Sequence, residues 1–182
     1  MDSERRQLNS LYASSGRVSY ARLAAESGVL TALAMIMSYV ESFIPVNFGV
    51  PGIKLGLANL IVLSGLYYLN PGQVLAISVS RILLTGFLFG NLASIIYSLA
   101  GALLSFSVML ILIRKTRFSV IGVSAAGAVS HNVGQILVAC MAVQSLSLAG
   151  YLPVLIVSGV VTGVLIGILT AKLLPVIRKI RG

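Results

Sequence analysis

Apolar residues fall in blocks along this chain, and polar punctuation separates the blocks. The first block runs from about Arg22 to Ile44, after which Pro45, Gly49, Pro51 and Gly52 make a connection no helix continues through. A second runs from about Ile53 to Leu69 and stops at Asn70-Pro71-Gly72, a strong turn signal. The third covers about Gln73 to Phe89. Gly90-Asn91 interrupts it, and Asn91 is suited to cap a fourth helix reaching Ile113. Beyond Arg114-Lys115-Thr116-Arg117, a fifth covers about Val120 to Val143 and a sixth about Tyr151 to Leu174. Several blocks approach the roughly 20 residues that cross a bilayer. The pattern predicts an all-α integral membrane protein, a six-transmembrane-helix bundle over 22–174. A polar segment (1–21) precedes it and a basic tail (175–182) follows.

The basic residues orient the bundle. Arg5, Arg6, Arg17 and Arg22 precede the first span, Arg114, Lys115 and Arg117 separate the fourth from the fifth, and Lys172, Arg178, Lys179 and Arg181 close the chain. With six spans all three groups share one side, and the opposite connections hold no Lys or Arg except Lys54 at a helix edge. The positive-inside rule then places both termini in the cytoplasm. Short connections after the second and third blocks imply antiparallel neighbours. Small residues recur at four-residue spacing in the first block (Ala24, Gly28, Ala32) and the sixth (Gly159, Gly163, Gly167), which lets helices approach closely. For the sixth, ordinary packing within the chain is the favoured explanation.

Composition agrees. Of 182 residues, 58% are hydrophobic and 9% charged, against roughly 25% charged in a soluble domain. The net charge of +9 sits mostly outside the apolar blocks or at their edges. With no Trp and no interleaving of aromatic and basic residues, it does not suggest nucleic acid as a partner. Cys140 is the only cysteine, so no intrachain disulfide forms, and it reads as a small buried hydrophobe. The first 20 residues carry both charge signs and do not resemble a secretory signal.

Charged groups inside a membrane domain mark a cavity, a pathway or a paired network. Arg81 falls about nine residues into its block, roughly 13 Å at the helical rise, and His131 lies at similar depth. Glu41 and Lys54 stand at the two ends of the Pro/Gly-rich connection. Ser78, Arg81 and Thr85 share one helix face, as do Gly127, His131, Gly134 and Gln135, with Asn132 one step round. Such stripes face the bundle interior. One reading is an outward-opening polar cavity lined by Lys54, Arg81, His131 and Gln135, with Asn132, Glu41 and Asn59 as further candidates, the segment from Pro45 to Gly52 as a lid, and an anionic or strongly polar ligand. The other is a structural network, with Arg81 bonded to Glu41 or to His131 and backbone carbonyls.

Absent motifs narrow the chemistry. There is no P-loop for ATP. The four acidic residues, Asp2, Glu4, Glu26 and Glu41, are too dispersed to clamp a magnesium diphosphate, and one His with one distant Cys makes no zinc site. With its single Asp at position 2 the chain has no Ser-His-Asp set. An autonomous enzyme is not expected, and neither is a cofactor of the chain's own.

Four strings carry a family resemblance: Pro51-Gly-Ile-Lys-Leu-Gly-Leu-Ala-Asn59, Arg81-Ile-Leu-Leu-Thr-Gly86, Ser98-Leu-Ala-Gly-Ala-Leu-Leu-Ser105 and Gly127-Ala-Val-Ser-His-Asn-Val-Gly-Gln135. Together they resemble the Gx transporter family, often labelled heptaprenyl diphosphate synthase component I, over about Arg22 to Leu174. That family is similar to the S components of energy-coupling factor transporters, six-helix proteins of the bacterial plasma membrane that capture a micronutrient. The resemblance implies a membrane coupling subunit and two ATPase subunits as partners, with ATP used by those partners. It implies docking through Ala24, Gly28 and Ala32. The synthase label implies instead an accessory role beside a partner enzyme, since the aspartate-rich motifs of chain-elongating prenyltransferases are missing here.

Overall fold

A computed structural model describes residues 20–43 and 56–181, and all regular structure among them is helical. The helices are α1 (Tyr20–Ser42), α2 (Leu57–Tyr68), α3 (Pro71–Phe89), α4 (Leu92–Lys115), α5 (Val120–Val143) and α6 (Leu152–Arg181), with a 3-10 turn at Leu146–Tyr151. Five are long and apolar enough to cross a membrane; α2 is the shorter one.

Local chemistry sets most boundaries. Asn91 accepts from the Ser94 backbone N–H at 2.8 Å while the Ser94 hydroxyl accepts from Asn91 N–H, a reciprocal cap that starts α4. Ser119 caps α5 by accepting from Gly122 N–H, and Gln144, in the left-handed region at φ 52°, ends it.

Three expected boundaries shift. Pro71 and Gly72 belong to α3: proline at the first helical position needs no N–H partner, so the turn signal contracts to Leu69 and Asn70. The sixth helix does not stop at Leu174 but continues through Pro175 to Arg181, so the basic tail rides on helix. One proline removes a single hydrogen bond, and Val176 and Ile177 keep the apolar pattern going. The second expected span contracts to the 12 residues of α2, roughly 18 Å at the helical rise. That is short of a hydrocarbon core of about 30 Å. Residues 53–55 of that span lie outside the described residues.

The helices close a ring: α1 packs on α2 and α3, α3 on α4, α4 on α5, α5 on α6, and α6 returns to α2. Glycine makes the α4–α5–α6 side tight. A Cβ on Gly134 would stand 2.9 Å from the Ala100 carbonyl oxygen, and one on Gly163 would stand 2.6 Å from Ala125 Cα. Gly159, Gly163 and Gly167 meet Val129, Ala125 and Ile121 in turn, the reversed order of an antiparallel pair. The small-residue stripe of the sixth block is therefore internal packing. On α1 the outcome is opposite: Ala24, Gly28 and Ala32 are exposed, and a Cβ on Gly28 would meet nothing within 4 Å.

One end of the ring is filled by an apolar core of Val62, Leu63, Leu66, Val74, Phe106, Met109 and Val123. The outside is apolar too, with Val29, Phe87 and Val157 each more than 60% exposed. Apolar side chains both inside and out fit lipid as the surrounding solvent. Thr162 and Thr170 satisfy their buried hydroxyls within their own helix, donating to Ser158 O and Ile166 O, whereas the buried hydroxyls of Ser64 and Thr85 have no such bond.

Candidate functional site

Above the apolar core the ring encloses a cavity of about 360 Å³ that draws residues from all six helices. It meets that core at Leu63 and Met109, which belong to both. Glu41, Asn59, Arg81, His131, Asn132 and Gln135 all line it. Lys54 and the segment from Pro45 to Gly52 lie outside the described residues.

Arg81 is held from α1. Its Nη1 donates to Ser38 Oγ at 3.2 Å, while its Nε is buried without a hydrogen-bond partner among the described residues. The Thr85 hydroxyl, one turn along the same face, is likewise buried and unbonded. The sequence allowed a bond from Arg81 to Glu41; the hydrogen bond that forms goes to Ser38, and Glu41 acts on Arg81 by Coulombic attraction.

Glu41 has a different duty. Its two carboxylate oxygens accept from Gly56 N–H at 2.6 Å and Leu57 N–H at 3.1 Å, and its side chain is buried. A carboxylate at the start of a helix answers both the unpaired N–H groups there and the positive end of the helix dipole. Gly56 sits in the left-handed region at φ 78°, a conformation costly for a residue with a Cβ, and this turn aims both N–H groups at Glu41. Glu41 therefore ties the end of α1 to the start of α2, and Asn59 follows in the first turn of α2.

Across the cavity, α5 supplies His131, Asn132 and Gln135. Gly101 of α4 gives them room: a Cβ there would stand 2.9 Å from Gln135 Cγ and 3.0 Å from the His131 ring. Asn132 is partly committed, since its Nδ2 donates to Leu155 O of α6 at 2.7 Å. Of the predicted stripe, Gly134 faces α4 backbone and serves packing.

Sequence reasoning missed a hydroxyl lining formed by Ser38, Ser94, Ser98, Ser105, Ser124 and Thr162. Spacing held a signal in α4, where Ser94, Ser98, Gly101 and Ser105 share one face. Also missed was the aromatic rim, where Tyr39 packs on Phe89 with ring centroids 5.2 Å apart and on Phe43 at 4.8 Å.

The exposed stripe on α1 lends no residue to this cavity; its Gly28 and Ala32 border, with Thr31, a shallow groove between α1 and α3 that Ile77 and Ser80 also line. Among the described residues no three His, Cys, Asp or Glu side chains gather as a metal site. Taken together, the walls are equipped to bind and orient a small polar molecule.

A family model described as heptaprenyl diphosphate synthase component I matches residues 30–173, from the middle of α1 to near the end of α6. Neither a curated protein nor a solved structure matches the chain. The family match takes in every described wall of the cavity, and on its extent the chain belongs to the heptaprenyl diphosphate synthase component I family.

Proposed function

We propose that this chain is the membrane substrate-binding subunit of an importer of the energy-coupling factor type, taking up a small anionic micronutrient or precursor. The observation that carries this reading is the cavity itself: polar walls inside an apolar bundle, with Arg81 presenting an unused donor. A buried guanidinium with spare hydrogen-bonding capacity is expensive to keep in a membrane domain unless something completes it. In this reading both termini are cytoplasmic and the aromatic rim faces outward. ATP is hydrolysed by two partner subunits, and Ala24, Gly28 and Ala32 receive the coupling subunit. Exposure of that stripe beside a groove supports the docking role.

A second reading is favoured by the family's own description. The chain would then be a membrane accessory of heptaprenyl diphosphate synthesis, non-catalytic by itself. Affinity purification of the tagged chain from native membranes separates the two. Recovery of a membrane coupling protein with two P-loop ATPases is the expected result. Recovery of a prenyl synthase without ATPases would overturn the importer and establish the accessory.

A further inference from the structure

We infer that the cavity takes a small molecule with one negative charge, a monocarboxylate, seated on Arg81, and that it does not take a prenyl diphosphate. The inference rests on the binding-subunit reading and narrows its ligand.

Charge is the first argument. Between Glu26 and Arg114 the sequence holds only three formally charged side chains, Glu41, Lys54 and Arg81, and between Arg117 and Lys172 it holds none. Glu41 is already answered by the backbone N–H groups at the start of α2, so Arg81 is the one described cation left for a ligand, and one carboxylate matches it. A diphosphate brings about two to three negative charges, judged from the charge of a phosphate monoester near neutral pH. At least one would stay uncompensated in a low-dielectric interior, a strongly unfavourable state. Magnesium offers no escape: Glu41 is the only acidic side chain between Glu26 and the end of the chain, and both its oxygens already hold backbone N–H groups.

Volume is the second argument. Small-molecule sites run from about 300 to about 1,000 Å³. The cavity offers about 360 Å³, near the small end of that range. Hydrogen-bonding capacity is the third. Arg81 Nε and the Thr85 hydroxyl lie on one face with no partner among the described residues, a pair of donors that suits a carboxylate.

The test uses the full chain in lipid nanodiscs, with unfolding followed by a thiol-reactive dye on Cys140. The probes are a panel of small monocarboxylates, each beside its carboxamide (indole-3-acetate and indole-3-acetamide among them), and geranyl diphosphate with and without Mg²⁺. At least one carboxylate is expected to raise the midpoint by several degrees while its amide does not and geranyl diphosphate does not. Arg81→Gln is expected to weaken that carboxylate at least tenfold, and Ser38→Ala, which releases Arg81 from α1, at least threefold. The acid-over-amide preference of the unaltered chain decides even where a variant fails to fold. Equal stabilisation by acid and amide, or stabilisation by geranyl diphosphate, overturns the charge assignment and leaves a binding subunit standing. No shift with any probe overturns the monocarboxylate assignment, while the binding-subunit reading stands or falls with the affinity purification.

Discussion

The seam between α5 and α6 makes a quantitative demand on Gly163. A Cβ at that position would stand 2.6 Å from Ala125 Cα, 2.9 Å from Ser124 O and 3.0 Å from Ala128 Cβ. Two of these three are backbone atoms, which cannot rotate aside. Restoring ordinary carbon contact at about 3.5 Å requires the helices to part by ~1 Å, which also loosens the contacts at Gly159 and Gly167. Overpacking of this kind costs about 1–3 kcal/mol, and the better helix propensity of alanine returns up to about 1 kcal/mol. Gly163→Ala should therefore destabilise by about 1–2 kcal/mol, a midpoint drop of ~2–8 °C for a chain of this size. Gly28→Ala is the matched control, since a Cβ there meets nothing within 4 Å, and propensity alone should leave it neutral or slightly stabilised. The assay is thermal unfolding in nanodiscs with a thiol-reactive dye on half-buried Cys140, the chain's only cysteine. Gly163→Ala equal to or above the unaltered chain, with Gly28→Ala unchanged, would refute the close seam.

Other substitutions probe single contacts. Glu41→Gln points an amide N–H₂ at one of two backbone N–H donors, and should cost about 1–3 kcal/mol and speed hydrogen exchange at the start of α2. Asn132→Ala removes the 2.7 Å bond to Leu155 O and should cost about 1 kcal/mol, with faster exchange at the start of α6. Asn91→Ala loses the reciprocal cap of α4 and should lower stability by about 1 kcal/mol in the same dye assay. Gly28→Leu should leave the unfolding midpoint within about 1 °C, because the site is open, while abolishing recovery of the coupling protein in the affinity purification. Full recovery would remove the α1 stripe from the docking role.

The helices were legible because lipid demands long apolar runs and because Asn91, Gly90 and Pro71 are local signals. The stripes on α3 and α5 were legible for a related reason, since three- and four-residue spacing places Arg81 beside Thr85 and His131 beside Gln135. What spacing within a helix cannot show is which helices face one another. Glu41 stands at the outer edge of its block and reads as a cavity residue or a partner for Arg81, yet its hydrogen-bond partners are Gly56 and Leu57 N–H, fifteen and sixteen residues away across a connection. The Ser and Thr lining was hidden because hydroxyls are tolerated anywhere in an apolar helix: each can bond its own preceding turn, as Ser107 does to Leu103 O on an exposed face. The two small-residue stripes look alike as strings. Only the fold separates Gly163, pressed on backbone, from Gly28, facing open space.

The uneven placement of glycine has a mechanical consequence. Backbone-to-backbone contact makes α4, α5 and α6 a stiff frame, whereas α1 meets α3 through side-chain bonds such as Gln73 to Ser27 and Arg81 to Ser38. Compliance is therefore concentrated on the α1 side of the cavity. In the binding-subunit reading a rearrangement that admits a ligand would cost least there, on the wall that carries Arg81's only described hydrogen-bond partner. Entry and grip are thereby coupled through one serine. In the binding-subunit reading, a displacement of α1 would take Ser38 with it and release the guanidinium from its one described hydrogen bond.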